Sequence, residues 1–207
     1  MNPIRVFIID DHLLVREGLV AVLAQLPGVE VVGQAETAED GIDACLRLRP
    51  QVVLMDLNLP GMSGPEAITL LRVQAPEMRL IALTSYETEG DISRALDAGA
   101  HGYLLKTTTR ADLQAAIAAV AAGGQWLSGP IRKRFEEAQM WRQLTPKEFE
   151  VLENLTKGLS NKEIAVQMGT AESTIKTHMH SLLQKLGAAD RAEAVALAVS
   201  ERVIRLD

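Results

Sequence analysis

Residues 52–58, Val-Val-Leu-Met-Asp-Leu-Asn, form an apolar run that stops at an acidic residue, Asp56. Residues 4–11, Ile-Arg-Val-Phe-Ile-Ile-Asp-Asp, repeat this pattern and end at the paired acids Asp10 and Asp11. Short apolar runs rich in Val, Ile and Leu are typical of strands that are buried on both faces of a parallel sheet. The sequence therefore predicts these acidic residues at the carboxyl ends of two such strands.

Five runs of this kind occur in the first 122 residues, and helical patterns separate them. The predicted strands are Ile4–Ile9, Val29–Val32, Val52–Met55, Leu80–Leu83 and Gly102–Leu105. Between the runs, apolar residues recur at helical spacing until a proline or glycine ends the pattern. Strands that alternate with helices predict an α/β fold, here a five-stranded parallel sheet, doubly wound and flavodoxin-like.

The pattern changes in the last third of the chain. Residues 123–143 hold turn signals and a charged stretch, Ile131–Arg142, that is compatible with a helix but has no clear apolar stripe. Such a segment is typical of a linker. Beyond them, residues 144–207 contain only short helical patterns separated by glycines. The sequence therefore predicts two domains, an α/β domain over 1–122 and a small all-α helix-turn-helix domain over 144–207, joined by this linker.

Composition and charge restrict the class of protein. The chain of 207 residues is 47% hydrophobic and 23% charged, as in soluble globular proteins. Its apolar runs are shorter than the roughly 18 residues that cross a bilayer, and its start does not resemble a signal peptide. The one cysteine, Cys45, lies in a helical pattern and is predicted to be a buried, inert thiol. We therefore expect a cytoplasmic protein without a membrane partner.

The two predicted domains differ in charge. Residues 1–122 hold 9 Lys and Arg against 16 Asp and Glu, whereas residues 123–207 hold 12 against 11. An acidic first domain and a nearly neutral, locally basic second domain indicate different partners.

Five polar side chains follow the predicted strands at one edge of the sheet: Asp10, Asp11, Asp56, Thr84 and Lys106. Since the carboxyl ends of parallel strands share an edge, we expect these side chains to converge. Three carboxylates favour a hard divalent cation such as Mg²⁺, while an amine and a hydroxyl suit phosphoryl oxygens. The alternative is that the acid pair only caps the next helix.

The motifs IIDDH, MDLNLPGMSG, ALTSY and AGAHGYLLK resemble the receiver domain of two-component response regulators over nearly all of residues 1–122. The resemblance implies that Asp56 accepts a phosphoryl group from a histidine kinase. It also implies a Mg²⁺ site formed by Asp11, Asp56 and the backbone carbonyl of Asn58, with Asp10 acting through water. The first domain is thus expected to be a phosphoacceptor and not an enzyme.

The resemblance assigns roles to three further residues. Thr84 and Lys106 would contact the phosphoryl oxygens, and Tyr103 would be the aromatic residue that reorients when Thr84 moves. Two other classes use similar parts. Dehalogenase-type phosphatases carry a second Asp two residues after the nucleophile, where this chain has Asn58. Flavodoxin-like electron carriers need a phosphate loop rich in Ser, Thr and Gly after the first strand, where this chain has Asp-His-Leu-Leu.

The second domain has the pattern of a helix-turn-helix. Capping-box signatures occur at Thr145–Glu148 and at Ser160–Glu163, and the longest helix is predicted over Ser173–Leu186. Its apolar stripe consists of Ile175, Met179, Leu182 and Leu186. The opposite, polar face contains Ser173, Thr177, His180 and Gln184, with Lys176 on its flank. Such a face suits the major groove of double-stranded DNA, although it would also suit an ordinary solvated helix.

The motifs LTPKEFEVL, GLSNKEIA, STIKTH and LLQKLGAADRAEAVALA resemble the LuxR-type output domain over nearly all of residues 144–207. A receiver joined to this domain is the architecture of the NarL/FixJ group. The resemblance places Lys176, Thr177 and His180 at positions that face bases or phosphates, although a basic residue is more usual where His180 stands.

The resemblance also implies that the final helix, 190–202, forms a homodimer on DNA, with Ala194, Leu197 and Ala198 at the contact. The alternative is that both apolar sides of this helix are buried within one chain. Two rival functions stay open: a regulator that ignores phosphorylation, and an interaction module that has lost DNA binding.

Overall fold

The computed structural model describes residues 2–85, 89–200 and 203–204. Two parts of the sequence-based prediction lie outside these residues: Tyr86 in the ALTSY motif, and Arg202 at the predicted end of the last helix. The chain divides into two compact units, Met1–Phe135 and Glu136–Asp207.

A parallel sheet forms the centre of the first unit. Its strands are β1 (Ile4–Ile9), β2 (Val29–Ala35), β3 (Val52–Asp56), β4 (Arg79–Thr84), β5 (Gly102–Leu105) and β6 (Trp126–Leu127). They lie in the order β2-β1-β3-β4-β5-β6. The parallel, doubly wound fold is confirmed, with one more strand than the five predicted. The two-residue strand β6 was missed because it is too short to give a periodic signal.

Helices cover both faces of the sheet because alternate residues of each strand point to opposite sides. Val6, Ile8, Val52 and Leu54 share one core with α1 (Leu13–Leu23) and α5 (Arg110–Ala121). Phe7, Ile9, Val53 and Met55 share the other with α2 (Ala38–Leu48), α3 (Gly64–Gln74) and α4 (Glu89–Asp97). Cys45 is fully buried in the second core, where burial raises the pKa of its thiol to about 12.

The predicted linker over 123–143 contains regular structure, including a helix over the charged stretch where the sequence indicated one. These residues include β6 and the helix α6 (Gly129–Arg142). Ile131 is buried in the core of the first unit and Phe135 packs on it, whereas Met140 and Trp141 pack on the core of the second unit. Because these apolar contacts are divided between two cores, they leave no continuous stripe in the sequence.

The second unit is helical: α7 (Pro146–Thr156), α8 (Asn161–Gln167), α9 (Glu172–Leu186) and α10 (Arg191–Ser200). The capping boxes at Thr145–Glu148 and Ser160–Glu163 form as predicted. The stripe of α9, which consists of Ile175, Met179, Leu182 and Leu186, is buried in the core. Within the described residues, the helices of the chain are all too short or too polar to cross a membrane.

Candidate functional site

The carboxyl ends of β1, β3 and β5 bring two acids and one amine together. Asp10 follows β1, Asp56 ends β3, and Lys106 follows β5. The Nζ atom of Lys106 lies 2.7 Å from Asp10 Oδ2 and 2.7 Å from Asp56 Oδ2. Asp10 and Asp56 are 0% and 2% exposed, so this contact is shielded from bulk water. The convergence predicted from the strand ends is therefore present for these three side chains.

The electrostatics of this site leave an excess of negative charge. Burial raises the pKa of Asp56, and the charge of Asp10 raises it further, against the hydrogen bonds from Lys106 and Asn58. Burial alone would lower the pKa of Lys106, but its hydrogen bonds to Asp10 and Asp56 raise it overall. Lys106 therefore stays protonated near neutral pH, yet one ammonium does not fully offset the cost of ionising the buried Asp56.

The residues present fit a divalent cation. One potential ligand atom from each of Asp10, Asp11, His12 and Asp56 lies within 4.8 Å of the others. Asp11 Oδ1 is a buried carboxylate oxygen whose near partner among the described residues is Nδ1 of His12, 2.7 Å away. Oxygen ligands and surplus negative charge are what Mg²⁺ requires. The carbonyl of Asn58 belongs to the turn after Asp56, where the backbone N–H of Asn58 donates to Asp56 Oδ1 over 3.2 Å.

Close backbone packing supports the turn after Asp56. A Cβ atom at Gly64, the first residue of α3, would lie 2.2 Å from the carbonyl oxygen of Asp56. The backbone N–H of Gly64 donates to the carbonyl of Leu57 over 3.1 Å. Only glycine fits this position without displacing the backbone beneath the acidic residue.

Arg16 of α1 supports the acid pair and was missed by sequence reasoning. Its side chain is nearly buried, and Nη1 donates to the backbone carbonyl of Asp10 over 2.6 Å. Its Nη2 lies 3.5 Å from Glu36, which follows β2. The available signal was an arginine inside a mainly apolar helix, since a buried arginine needs polar partners.

Thr84 and Tyr103 lie on the two strands beside this site. Thr84 ends β4 and is fully buried, and its carbonyl accepts from the backbone N–H of Lys106 over 2.8 Å. Tyr103 is fully buried in β5 and belongs to the core that contains α4. Thr84 is thus at the same edge of the sheet as Lys106, while the Tyr103 ring is enclosed in the core.

The polar face of α9 is exposed along its length. Ser173, Lys176, Thr177, His180 and Gln184 are all exposed, opposite the buried stripe. The sequence did not single out Glu172, the first residue of α9, whose carboxylate lies 2.9 Å from Nζ of Lys176. The pairing follows from the spacing of four residues, which places the two side chains on one face of the helix.

Comparison with known proteins gives a matching family for the domain that holds the acidic site and for the domain that holds α9. Residues 6–118 match the family model of the response regulator receiver domain, and residues 142–198 match that of the bacterial regulatory proteins of the luxR family. This chain belongs to the NarL/FixJ family of response regulators.

The similarity to known relatives covers nearly the whole length of this response regulator. The nitrate/nitrite response regulator protein NarP of Escherichia coli is 38% identical over 97% of each chain. The response regulator protein VraR of Staphylococcus saprophyticus is 34% identical over 98% of this chain and 100% of its own. A solved complex of the response regulator RcsB with DNA superposes with a TM-score of 0.63 at 29% identity, covering 96% of this chain and 99% of that one.

The burial of α10, the last helix of this response regulator, contradicts two of the predicted dimer contacts. Ala194 and Ala198 of α10 are 0% exposed and belong to the core of their own domain, so they offer no surface to a second chain. For these two residues the prediction was wrong, and burial within one chain is correct. Leu197 is only partly buried and remains a predicted contact. The small size of Ala allows α10 to approach the core closely, which the sequence pattern could not distinguish from an interface.

Glu148 is a further residue whose role the sequence did not reveal. Beyond its capping box with Thr145, it accepts hydrogen bonds from Ser181 over 2.6 Å and from Lys185 over 2.7 Å. Both partners belong to α9, so Glu148 joins the start of α7 to the back of the helix that carries the exposed polar face.

Proposed function

We propose that this DNA-binding transcription regulator is switched by phosphorylation of Asp56 in its receiver domain. A histidine kinase supplies the phosphoryl group in the cytoplasm, and the activated form binds double-stranded DNA as a homodimer through α9. Residues 1–122 act as the receiver and 144–207 as the output domain, with 123–143 as the structured connection. The chain serves as a regulator and not as an enzyme.

One observation carries the phosphorylation proposal: the contact of Lys106 with both Asp10 and Asp56 at the carboxyl edge of the sheet. A buried carboxylate beside a protonated amine and a second acid is a polar centre without a packing purpose. Such sites are functional-site candidates because their electrostatics cost stability. The pairing of the amine with Asp56 also places a positive charge where phosphoryl oxygens would arrive.

The proposed transfer needs few groups. An Asp56 carboxylate oxygen attacks phosphorus, a bond to oxygen forms, and the bond from phosphorus to the donor's imidazole nitrogen breaks. The imidazole leaves with the electron pair of that bond. Mg²⁺, held by Asp11, Asp56 and the Asn58 carbonyl with Asp10 acting through water, would neutralise charge on the phosphoryl group. Lys106 and Thr84 hold the remaining oxygens, and Tyr103 responds when Thr84 moves.

The surface next to the acid pair suits a docking kinase. Leu13 and Leu14, which begin α1, are 58% and 85% exposed, although large apolar side chains normally avoid water. Beside them lies a pocket of about 290 Å³, whose lining includes Leu14, Leu19, Lys106 and Thr108. An amphipathic helix of the phosphodonor could cover these leucines while it places its histidine near Asp56.

The exposed face of α9 supports DNA binding. Lys176 can donate to guanine or to phosphate, Gln184 can pair with adenine, and the Thr177 methyl can contact thymine. Ser173 and His180 complete this face. The structural neighbour RcsB was solved in complex with DNA, which favours the same use of α9 here. Leu197 remains the proposed dimer contact on α10, and a two-fold dimer would read an inverted repeat.

Replacing Lys176 tests the DNA-binding face. We expect Lys176→Ala to weaken binding to DNA fragments from the organism's own regulatory regions by about tenfold and to reduce the salt dependence by about one counterion. The loss of its exposed ion pair with Glu172 should cost the fold little. Fluorescence anisotropy at several salt concentrations measures both quantities.

The exposed Lys157 at the end of α7 provides the matched control, since Lys157→Ala removes the same charge away from α9. Equal effects of the two substitutions on DNA affinity would show that Lys176 is not part of the DNA interface. Failure of the unaltered chain, with phosphoryl donor and Mg²⁺, to bind any regulatory fragment would favour the rival function, a protein-interaction module.

A further inference from the structure

His12 is the histidine next to the acid pair, and its side chain does not serve the helix that it begins. It is the N-cap of α1, yet its imidazole makes no capping hydrogen bond with the described residues. The turn is held by the Asp10 side chain instead, because the backbone N–H of His12 donates to Asp10 Oδ1 over 2.9 Å. The imidazole is 65% exposed, so a ligand can reach it from solvent.

The imidazole faces the carboxylates. Its Nδ1 atom lies 2.7 Å from Asp11 Oδ1 and 3.5 Å from Asp10 Oδ1. Asp11 Oδ1 is buried, and this contact with His12 is the partner that the described part of the chain gives it. A ring nitrogen and a carboxylate oxygen that approach so closely need a proton or a cation between their lone pairs. A proton on Nδ1 makes this contact an ion pair, and a divalent cation that replaces the proton can bind both atoms.

The spacing matches one coordination sphere. Ligand atoms about 2.1 Å from an octahedral cation lie about 3 Å from their neighbours. The distance from Nδ1 of His12 to Asp11 Oδ1, 2.7 Å, is close to that value. Asp56 contributes a further oxygen within 4.8 Å of these atoms. The imidazole, Asp11 and Asp56 are thus close enough to contact one cation.

We propose that His12 is a nitrogen ligand of the acidic site and that it raises the affinity of this site for borderline divalent ions, such as Co²⁺ and Ni²⁺, relative to Mg²⁺. Carboxylate and carbonyl oxygens suit Mg²⁺, whereas imidazole suits the later first-row metals. His12 therefore sets metal specificity at the site that the proposed function assigns to Mg²⁺, and the inference rests on that function.

Metal titrations of the full chain test this role with Co²⁺ and Mg²⁺ as probes. We expect His12→Asn to weaken Co²⁺ binding by about tenfold or more and to change Mg²⁺ binding by less than about threefold. Asn is a favoured N-cap residue, so α1 should be retained. The matched control is His178→Asn, which removes one imidazole from the other domain. Isothermal titration calorimetry measures both affinities.

A spectroscopic signature separates ligation from a general effect on the loop. In the Co²⁺ form, a coordinated imidazole gives a hyperfine-shifted, exchangeable N–H proton resonance. We expect this resonance in the unaltered chain and in His178→Asn, and its loss in His12→Asn. Unchanged Co²⁺ affinity in His12→Asn, or the absence of the resonance from the unaltered chain, would overturn the proposal.

The failures of the two proposals are distinguishable. If Mg²⁺ binding requires Asp56 but His12→Asn leaves Co²⁺ binding unchanged, the proposal that His12 is a ligand fails and the metal site of the proposed function stands. Were neither ion to bind the unaltered chain, the metal site of the proposed function would fail as well.

Discussion

Asp56→Asn is expected to abolish phosphorylation of the chain. The substitution keeps the size of the side chain but removes the carboxylate that would attack phosphorus, so labelling by radioactive acetyl phosphate with Mg²⁺ should fall by on the order of 100-fold or more. The fold should survive, because Asn can still accept the hydrogen bond from Lys106. Scintillation counting of the protein after gel filtration measures the label.

The matched control for this experiment is Asp43→Asn. Asp43 lies on the exposed side of α2, so the change removes the same charge from the surface of the receiver. Labelling of this variant should equal that of the unaltered chain. Persistent labelling of Asp56→Asn, at the level of the control, would place the phosphoryl group elsewhere.

Glu148→Gln is expected to destabilise the output domain by about 3 kcal/mol. The Glu148 side chain is 4% exposed, and its partner Lys185 is 28% exposed. Neutralising Glu148 leaves the ammonium of Lys185 partly buried without its counter-charge, and weakens the link between α7 and α9. Urea unfolding measures this change when the fluorescence of Trp141 is followed in a Trp126→Phe background.

Glu150→Gln is the control for this prediction. Glu150 pairs with Lys147 over 2.8 Å, and both side chains are well exposed. Exposed pairs contribute less than about 1 kcal/mol, so this substitution should change the free energy of unfolding little. Equal losses from the two substitutions would mean that the buried pair does not hold α9.

The pair of Glu148 and Lys185 predicts that the stability of the output domain depends on pH. Burial would raise the pKa of Glu148, but the hydrogen bonds from Lys185, Ser181 and Thr145 lower it from 4.5 to about 2. The stabilisation is therefore present above about pH 4.5 and is lost as the pH falls from there towards 2. The difference in unfolding free energy between the unaltered chain and Glu148→Gln should shrink over this interval.

The parallel sheet could be predicted because its strands are buried on both faces. Strands β1 and β5 have the predicted bounds, since their apolar runs begin and end with the strand. Strand β2 extends to Ala35, beyond the predicted end at Val32, because the polar residue Gln34 interrupts the run at the edge of the sheet. The sequence indicated a helix in the charged stretch that forms α6 but not what this helix packs on, because its apolar residues are divided between two cores.

The acidic site could be predicted from topology, whereas the contacts that support it could not. Strand ends meet at one edge in any parallel sheet, which places Asp10 near Asp56 before any distance is known. The contacts of Arg16 with Asp10, and of Glu148 with Lys185, depend on which helix faces turn towards each other. Such long-range pairs give no periodic signal in a single sequence. The burial of Ala194 and Ala198 depends on packing in the same way.

Control of DNA binding at α9 by a phosphoryl group on Asp56 is the centre of the proposed function. The most direct measurement is the affinity of the full chain for one of its regulatory DNA sites, with and without acetyl phosphate and Mg²⁺. We expect the donor to tighten binding by about tenfold or more for the unaltered chain and to leave Asp56→Asn unchanged. Identical affinities with and without the donor, while Asp56 is shown to be phosphorylated, would contradict this control and favour a regulator that ignores phosphorylation.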